Sequence, residues 1–417
     1  MKKILIKFIL LFIPIKLWRK KFRRYLKRKN TIYTICKIRD NLIKKHNDYW
    51  CFPVCCFNHR LDDNSRAIFD KIKNNSKIKK IVLVRDKKLI LNGKNVVIVP
   101  LKSKEGLDYL IKSKVIFVKH SFKHNVGYDL NYKKHLIINL WHGIPLKKIG
   151  VTSAKSRSLE LDFINHQLEH SFVISSSLVD RAMMTSAMHP LTYNQVWLTG
   201  LPRCDLIVNS EKELPLDYKK ELEEITIVKG DKKIIFFAPT FRDNQEKSYF
   251  QFSKEEIYNL KSLLDRNNAI LAIREHMADT TRSFSNQLKT LKPLDFNKYN
   301  SIEMCFRMSD ILITDYSSCF IDFMLTNKPI VNFAYDYEEY KNNERGFLYE
   351  MEMVFPDKIN KNFNDMIISL EKLLEETSKE YQDHYNNCKK MFFKYTDNKN
   401  SDRVIKNIEK ELKGEVI

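Results

Sequence analysis

Short apolar runs rich in β-branched residues recur along the chain and alternate with segments whose apolar side chains have helical spacing. Such runs predict buried strands of parallel sheets, because a strand covered on both faces does not need alternating polar positions. The runs are IVLV from Ile81, VVIV from Val96, VIFV from Val115, LIINLW from Leu136, FVIS from Phe172, VWLT from Val196, IIFFA from Ile234, AILAI from Ala269, ILIT from Ile311 and PIVNF from Pro329. Their alternation with helical segments predicts stacked βαβ units.

A charged stretch that begins at Asn209 separates the first six runs from the last four. A chain of 417 residues is long enough for two domains with cores of their own. We therefore expect an α/β protein with two Rossmann-like domains and a hinge near residues 205–230. The predicted division is a basic amphipathic segment over 1–30, an N-terminal Rossmann-like domain over 31–208, and a C-terminal Rossmann-like domain over 209–417 that ends in amphipathic helices.

The segment DYSSCFIDFM follows the run ILIT and predicts a turn from strand to helix. The strand should end near Asp315, and Ser317 or Ser318 should cap a helix, because a serine oxygen can accept a free backbone N–H. Hydroxyls and free N–H groups then meet at the carboxyl end of a strand, where open α/β sheets bind phosphate. An ordinary capped turn without a ligand is the alternative.

Polar clusters also follow four other predicted strands. Arginine suits phosphate because its charged fork matches two oxygens. Taken singly, His142 could be a structural histidine, and Arg203 and Arg242 could be ion pairs between domains. Five clusters after five strands predict a ligand cleft between the domains. The four further clusters are His142 and Gly143 in HGIPLKK, Arg203 and Asp205 in TGLPRCD, Thr240 and Arg242 in PTFRD, and Arg274 and His276 in REHMAD.

The composition is that of a globular protein with an excess of positive charge. Hydrophobic residues make up 43% of the chain and charged residues 30%, and 73 basic residues oppose 51 acidic ones, for a net charge of +22. Twelve of these cations lie in the first thirty residues, which hold no acid. The remaining excess suits a phosphorylated ligand or an anionic surface. A nucleic-acid-binding protein is the alternative from another class, but no interleaved aromatic and basic motif supports it, so we expect no nucleic acid as partner.

The first thirty residues predict attachment to a membrane surface. The apolar stretch over residues 8–15 is interrupted by Pro14 and is far shorter than the roughly 20 residues that span a bilayer. No small-residue cleavage site follows it, which disfavours a signal peptide. We expect Trp18 to enter the headgroup region while the cations from Arg19 to Lys29 face anionic lipid, which makes the protein peripheral to the cytoplasmic face of the membrane. A nucleic-acid-binding arm is the competing interpretation.

Cysteine usage favours free thiols in a reducing compartment. Of eight cysteines only Cys51, Cys55 and Cys56 cluster, beside His59. Their spacing is not that of a zinc site, and a convincing fourth ligand is missing. We therefore predict no metal.

Five segments, in this order, resemble the CDP-glycerol glycerophosphotransferase family, which includes teichoic acid primases and polymerases with relatives in capsule polysaccharide synthesis. The resemblance covers about residues 140–350. The five segments are LWHGIPLKKIG, GLPRCD, APTFRD, IREH, and the DYSS block with its trailing RGFLYE.

The resemblance implies a GT-B-like fold, with two Rossmann-like domains facing a cleft, the domain over 31–208 on the acceptor side and the domain over 209–417 binding the CDP donor. It also implies transfer of a polyol phosphate from CDP-glycerol or CDP-ribitol to a lipid-linked or glycan acceptor, with release of CMP. The fixed positive charge of the clusters makes a metal unnecessary, so we expect no obligatory cofactor. A GT-B glycosyltransferase that uses a nucleotide sugar is the alternative, since a fold does not determine a substrate.

Matched position by position, the resemblance assigns the catalytic base to His142 and a second catalytic role to His276. Ile144, Cys204 and Met277 stand where the family usually has Thr, Asn and Pro, which leaves the polyol open. The implied substrate-binding residues are Trp141, His142, Gly143, Ile144, Pro145, Arg203, Pro239, Thr240, Arg242, Arg274, Glu275, His276, Asp315, Ser317, Ser318 and Asp322.

The chemistry of these side chains fits such a transfer. The attacking hydroxyl needs a base, and histidine titrates near neutral pH. The leaving phosphate needs positive or hydrogen-bonding groups, which Thr240, Arg274, His276 and the amides after Tyr316 can supply. Asp322, one turn beyond Ser318, can reach a donor hydroxyl or position a neighbouring cation.

Removal of residues 1–30 should leave a folded protein that no longer sediments with anionic vesicles. Each basic residue near such a surface contributes about 1 kcal/mol at low screening, so the cations should dominate binding and make it steeply dependent on salt. Sedimentation of the full and truncated chains at several salt concentrations tests this. Equal binding of both chains at the same salt would place the membrane site elsewhere.

Overall fold

The computed structural model describes residues 31–54, 59–85, 89–153, 167–242, 249–276, 279, 281–343 and 346–415. The predicted membrane segment over residues 1–30 and the clustered Cys55 and Cys56 lie outside the described residues. Among the helices that are described, none has both the length and the apolar character needed to cross a bilayer.

The first sheet has seven parallel strands in the order β3-β2-β1-β4-β5-β6-β7. All six runs predicted in this half are strands. The interior strand β1 was missed, because its first four residues are exposed or half-buried and only the short stretch Trp50–Pro53 is fully buried. The strands are β1 (His46–Pro53), β2 (Lys79–Val84), β3 (Val96–Pro100), β4 (Ser113–Val118), β5 (Leu136–Asn139), β6 (Phe172–Ser175) and β7 (Val196–Leu198).

The second sheet has five parallel strands in the order β10-β9-β8-β11-β12. The four predicted runs are all present, and the additional edge strand β10 has only two residues. The prediction of an α/β protein with parallel sheets is thus confirmed. The strands are β8 (Lys233–Ala238), β9 (Ala269–Ile273), β10 (Leu294–Asp295), β11 (Ile311–Thr314) and β12 (Ile330–Asn332).

Helices connect the strands and pack against the sheets. The helix Lys104–Lys112 packs on β1, Lys254–Arg266 packs on β9, and Phe363–Glu375 packs on β12. The described helices are α1 (Thr31–Leu42), α2 (Asp63–Ile72), α3 (Lys104–Lys112), α4 (Phe122–Val126), α5 (Leu178–Ala187), α6 (Arg203–Val208), α7 (Leu216–Lys229), α8 (Lys254–Arg266), α9 (Ser283–Gln287), α10 (Ile302–Met308), α11 (Cys319–Phe323), α12 (Tyr337–Asn343), α13 (Met351–Val354), α14 (Phe363–Glu375), α15 (Lys379–Phe392) and α16 (Asn400–Lys413).

The charged stretch between the sheets forms helix α7, and the chain later returns to the first half. Helix α16 packs against α2 and α6, and an apolar core extends from Ile138 of the first sheet to Phe306 beside the second. The Asp205 carboxylate accepts hydrogen bonds from the backbone N–H groups of Asn400 (2.9 Å) and Ser401 (2.8 Å) at the start of α16. The C-terminal helices therefore join the two halves, and the domain boundary at 208/209 stays a prediction.

Asp205→Ala should lower the stability of the protein, because two N–H groups at the start of α16 lose a buried acceptor. Loss of a helix cap costs about 1–2 kcal/mol, and Asp205→Asn, which keeps one acceptor oxygen, should lose less. Thermal unfolding of both variants beside the wild type measures this. A midpoint of Asp205→Ala equal to that of the wild type would contradict this role for Asp205.

Candidate active site

The carboxyl ends of β5 in the first sheet and of β8, β9 and β11 in the second open onto one cleft of about 420 Å³. Open α/β sheets bind ligands at this edge, because the loops that leave the strands there diverge and leave a crevice. Most of the predicted site residues line the cleft, namely Trp141, His142, Gly143, Ile144, Pro145, Arg203, Pro239, Thr240, His276, Ser317, Ser318 and Asp322. Residues that sequence reasoning did not single out also line it, among them Lys147, Phe241, Ile302, Phe306 and Tyr340.

The turn after β5 presents the His142 ring to the cleft. Trp141 has a left-handed backbone (φ 49°), which costs a bulky residue roughly 1–3 kcal/mol and requires support from its surroundings. Part of this support is Asn139, whose side-chain oxygen accepts a hydrogen bond from the Trp141 N–H at 2.9 Å. Gly143 has φ 153°, and a Cβ there would lie 3.0 Å from Nη2 of Arg203, so this close approach requires glycine.

His142 is suited to accept a proton. Its Nδ1 lies 3.4 Å from the carbonyl oxygen of Lys119, and a proton donated there leaves Nε2 as the acceptor. Desolvation by the surrounding protein lowers the pKa of His142 below its ordinary value, and the charges of His120 and Lys119 lower it further. The ring is also exposed to the open cleft, so water there moderates this effect. The imidazole is therefore neutral at physiological pH.

Arg203 is a largely buried cation that connects the two halves at the floor of the cleft. Its Nη1 donates to the His142 carbonyl at 2.8 Å and lies 3.5 Å from a carboxylate oxygen of Asp63. Its Nη2 pairs with the carboxylate of Asp322 on α11. Burial raises the pKa of Asp322 to about 6, although Arg203 opposes this shift. The two Nη atoms of the guanidinium thus pair with groups of the protein, as the ion-pair interpretation of Arg203 predicts, while its Nε is buried without a hydrogen-bond partner among the described residues.

Arg242 and Asp315 form a second buried ion cluster, which does not line the cleft. Nη2 of Arg242 donates to Asp315 at 2.9 Å, and its Nε donates to Asp336 at 2.7 Å. The other oxygen of Asp315 accepts from the backbone N–H groups of Thr240 (2.9 Å) and Tyr316 (2.6 Å). These ions lie beneath the two turns that do line the cleft, and they hold the ends of β8 and β11 together.

Arg274 and Glu275 also lie outside the cleft lining. Nη1 of Arg274 donates to the carbonyl oxygens of Phe296 (2.8 Å) and Tyr299 (3.0 Å). Glu275 is buried and accepts from the backbone N–H of Phe284 at 2.8 Å, at the start of α9. Of the predicted REH group, only His276 faces the cleft.

The turn after β11 presents Ser317 and Ser318 to the cleft. The strand ends and the helix begins where predicted, but α11 has only five residues. Ser318 is the residue before the helix, yet its hydroxyl accepts no hydrogen bond from it, so the expected Ser318 side-chain cap is absent. Ser317 Oγ accepts one long bond, 3.4 Å, from the Cys319 N–H. Neither hydroxyl is strongly engaged by the helix.

Sequence reasoning missed the N-terminus of α2. Lys119 Nζ lies 3.0 Å from Asp62 and 3.1 Å from Asp63, and Asp63 also contacts Arg203. Although burial opposes the shift, Lys119 and Arg203 lower the pKa of Asp63 to about 2, so its carboxylate stays charged. The segment LDDN is a polar cluster soon after a strand, but the signal was lost because β1 itself was missed.

Main-chain hydrogen bonds also join the two walls of the cleft. The Lys148 N–H donates to the carbonyl of Gly346 at 3.1 Å, and the Leu348 N–H donates to that of Leu146 at 2.9 Å. Beside them Lys147 Nζ lies 5.1 Å from the centre of the Tyr340 ring. Among the described residues no group of His, Cys, Asp and Glu is arranged to hold a metal ion.

Two parallel sheets whose carboxyl edges open onto a shared cleft define a GT-B-like class of protein. The chain matches the model of the CDP-glycerol:poly(glycerophosphate) glycerophosphotransferase family over residues 46–410, and it belongs to that family. The resemblance recognised from the sequence motifs is thereby confirmed.

Curated relatives and solved structures agree with this assignment. Over 254 residues the chain is 30% identical to a teichoic acid glycerol-phosphate transferase of Staphylococcus aureus (strain NCTC 8325 / PS 47), covering 58% of this chain and 63% of the relative. Over 315 residues it is 28% identical to the teichoic acid ribitol-phosphate polymerase TarK of the same organism, covering 74% of this chain and 58% of the relative. Both matches span less than two thirds of the relative's length.

A solved structure of the wall teichoic acid polymerase TagF superposes on 96% of this chain and 99% of its own, with a TM-score of 0.73 and 21% identity. This likeness confirms the predicted GT-B-like fold.

Replacing Ser317 and Ser318 together by Ala should leave the free energy of unfolding within about 0.5 kcal/mol of the wild type, as for surface changes that remove no strong interaction. A functioning serine cap would instead cost about 1–2 kcal/mol. Chemical denaturation of the double variant measures this difference. A loss in the larger range would show that the hydroxyls support the helix after all.

Proposed function

We propose that this protein transfers a polyol phosphate, with glycerol phosphate as the first choice, from a CDP-activated donor to a hydroxyl of a teichoic-acid-type or other cell-surface glycan acceptor. The observation that carries the proposal is the pairing of groups across the cleft. A neutral His142 stands on one wall, and the hydroxyls of Ser317 and Ser318 stand on the other. The walls are close, since a Cβ on Gly143 would lie 3.6 Å from Ser318 Oγ.

His142 acts as the general base. Its Nε2 takes the proton from the attacking acceptor hydroxyl, because Nδ1 is occupied at the Lys119 carbonyl. The hydroxyl oxygen forms a bond to the phosphorus that carries the polyol. The bond from this phosphorus to the bridging oxygen breaks, and CMP leaves with the electron pair of that bond.

The opposite wall holds the phosphates. Ser317 and Ser318 offer hydroxyl donors, and Thr240 Oγ1 is buried without a hydrogen-bond partner among the described residues. A buried hydroxyl left unpaired costs free energy, so an incoming phosphate oxygen at Thr240 would be stabilised. Lys147 supplies positive charge nearby, and burial together with Lys147 lowers the pKa of His276, which favours a neutral, hydrogen-bonding imidazole.

The polyol and the acceptor remain to be assigned by experiment. One relative is named for glycerol phosphate and another for ribitol phosphate, and the buried Ile144 lines the cleft where the family usually has Thr. We expect a lipid-linked or glycan acceptor at the cytoplasmic face of an anionic membrane, to which the basic segment over residues 1–30 attaches the protein. A nucleotide-sugar glycosyltransferase is the second candidate, because the same cleft would serve it.

The deciding experiment incubates the protein with CDP-glycerol, CDP-ribitol or UDP-sugars and a lipid-linked acceptor, and measures CMP or UDP release. We expect CMP from a CDP-polyol and no UDP.

In the same assay His142→Ala should lower kcat by roughly 10²-fold or more and leave donor affinity nearly unchanged, as expected for loss of a base. His46→Ala is the matched control, because His46 stacks on Tyr49 at the start of β1.

The pH dependence gives an independent check on the base. Activity needs the unprotonated imidazole, so kcat should fall as the pH drops through the pKa of His142. Because that pKa is lowered, the fall should come below about pH 6.5, the ordinary value for histidine. Release of UDP without CMP would refute the proposed donor. Near-wild-type turnover of His142→Ala would refute the proposed base.

A further inference from the structure

The N-terminus of α2 contacts both the His142 turn and Arg203. Asp62, Asp63 and Asn64 are consecutive, and each side chain reaches a different part of the site. Asp62 and Asp63 hold Lys119, whose carbonyl accepts from His142, while Asp63 also faces Arg203. Asn64 contacts the backbone that leads into His142 and the backbone N–H of Arg203.

Asn64 is fully buried, with 1% of its surface exposed, and its side chain bridges two loops. Nδ2 donates to the carbonyl of Leu140 at 2.9 Å and to that of Trp141 at 3.3 Å. Oδ1 accepts the backbone N–H of Arg203 at 3.0 Å. Two carbonyls on one side and an N–H on the other determine the orientation of the amide. In the reverse orientation the amide oxygen would face the two carbonyl oxygens and the NH₂ group would face the Arg203 N–H.

This bridge lies where the backbone most needs support. Trp141 has a left-handed backbone and Gly143 has φ 153°, so His142 stands between two residues in unusual conformations. A strained turn keeps one geometry only when its surroundings over-determine it. Asn139 supports the turn by accepting a hydrogen bond from the Trp141 N–H. Asn64 supports it by donating to the carbonyl oxygens of Leu140 and Trp141.

We propose that Asn64 is a positioning residue that sets the place of the His142 imidazole relative to Arg203 and the cleft. The inference rests on the proposed function, in which His142 is the base. Asn64 touches neither donor nor acceptor and acts through the turn. A displacement of about 1 Å in a catalytic group is enough to cost a large part of the rate, so the bridge controls turnover rather than donor affinity.

Asn64→Asp tests this with the smallest change in shape. The carboxylate still accepts from the Arg203 N–H, but it faces the Leu140 and Trp141 carbonyls without a proton to donate. We expect kcat to fall at least tenfold while the affinity for CDP-glycerol stays within about twofold, which is the pattern of a lost transition-state interaction. CMP release and calorimetry with CDP-glycerol measure the two quantities.

Asn360→Asp is the matched control. Asn360 is equally buried, at 1% exposed, and its Nδ2 donates to the carbonyl of Asn332 and to Asp357, both at 3.0 Å. It does not line the cleft. This variant should lose thermal stability like Asn64→Asp and keep kcat within twofold of the wild type. Equal loss of kcat in both variants would show that Asn64 has only a structural role and would overturn the proposal.

A double variant tests whether Asn64 acts through His142. In the His142→Ala background, Asn64→Asp should change the residual rate by less than twofold, because the group that it positions is gone. A full tenfold loss in that background would overturn the proposal. If Asn64→Asp does not fold, Asn64→Ala takes its place, since it removes the same donor without introducing a charge.

A measurement without substrate separates failure of this inference from failure of the proposed function. In protein labelled with ¹⁵N-histidine, the His142 ring resonance, assigned by its loss in His142→Ala, should shift in Asn64→Asp and stay in place in Asn360→Asp. An unmoved resonance would overturn the positioning role even if the enzyme proved to use another donor. An absence of CMP release by the wild type, with the resonance shifted, would instead refute the proposed function alone.

Discussion

A single buried guanidinium determines how the two halves meet. Arg203 has 8% of its surface exposed, and a buried charge costs several kcal/mol unless it is paired and hydrogen-bonded. Its partners come from both halves, with Asp63 and the His142 carbonyl on one side and Asp322 on the other. The two walls of the cleft are therefore held together through the Nη atoms of this cation, and the main-chain bonds between the walls act in the same direction.

The site has two layers with different tasks. Charged side chains pair with one another at the floor of the cleft, as Arg203 does with Asp322, and beneath the adjoining turns, as Arg242 does with Asp315 and Asp336. Above them, serine, threonine and histidine side chains face the cleft with few protein partners. The buried ion pairs make the protein around the cleft rigid. The serine, threonine and histidine side chains therefore keep their positions while their hydrogen-bonding groups stay available to a ligand.

The fold followed from the sequence wherever a strand is buried over its whole length. The runs from Leu136 to Ile138 and from Ile311 to Ile313 are continuous and apolar, as is typical of strands in a parallel sheet that is covered on both faces. The interior strand β1 was missed because its first half is exposed or half-buried and polar. Its place inside the sheet comes from pairing with β2 and β4, and those contacts leave no local signal.

The sequence by itself determined which segments meet at the cleft, because the residues after parallel strands necessarily gather at one edge of a sheet. Only the tertiary structure decided which of their side chains face it. Arg274, Glu275 and Arg242 follow strands just as His276 and Thr240 do, yet they turn to carbonyls, amides and carboxylates of the protein. Those partners lie up to 94 residues away, as Asp336 does from Arg242. A side chain's direction is set by contacts with distant segments, and local sequence does not contain them.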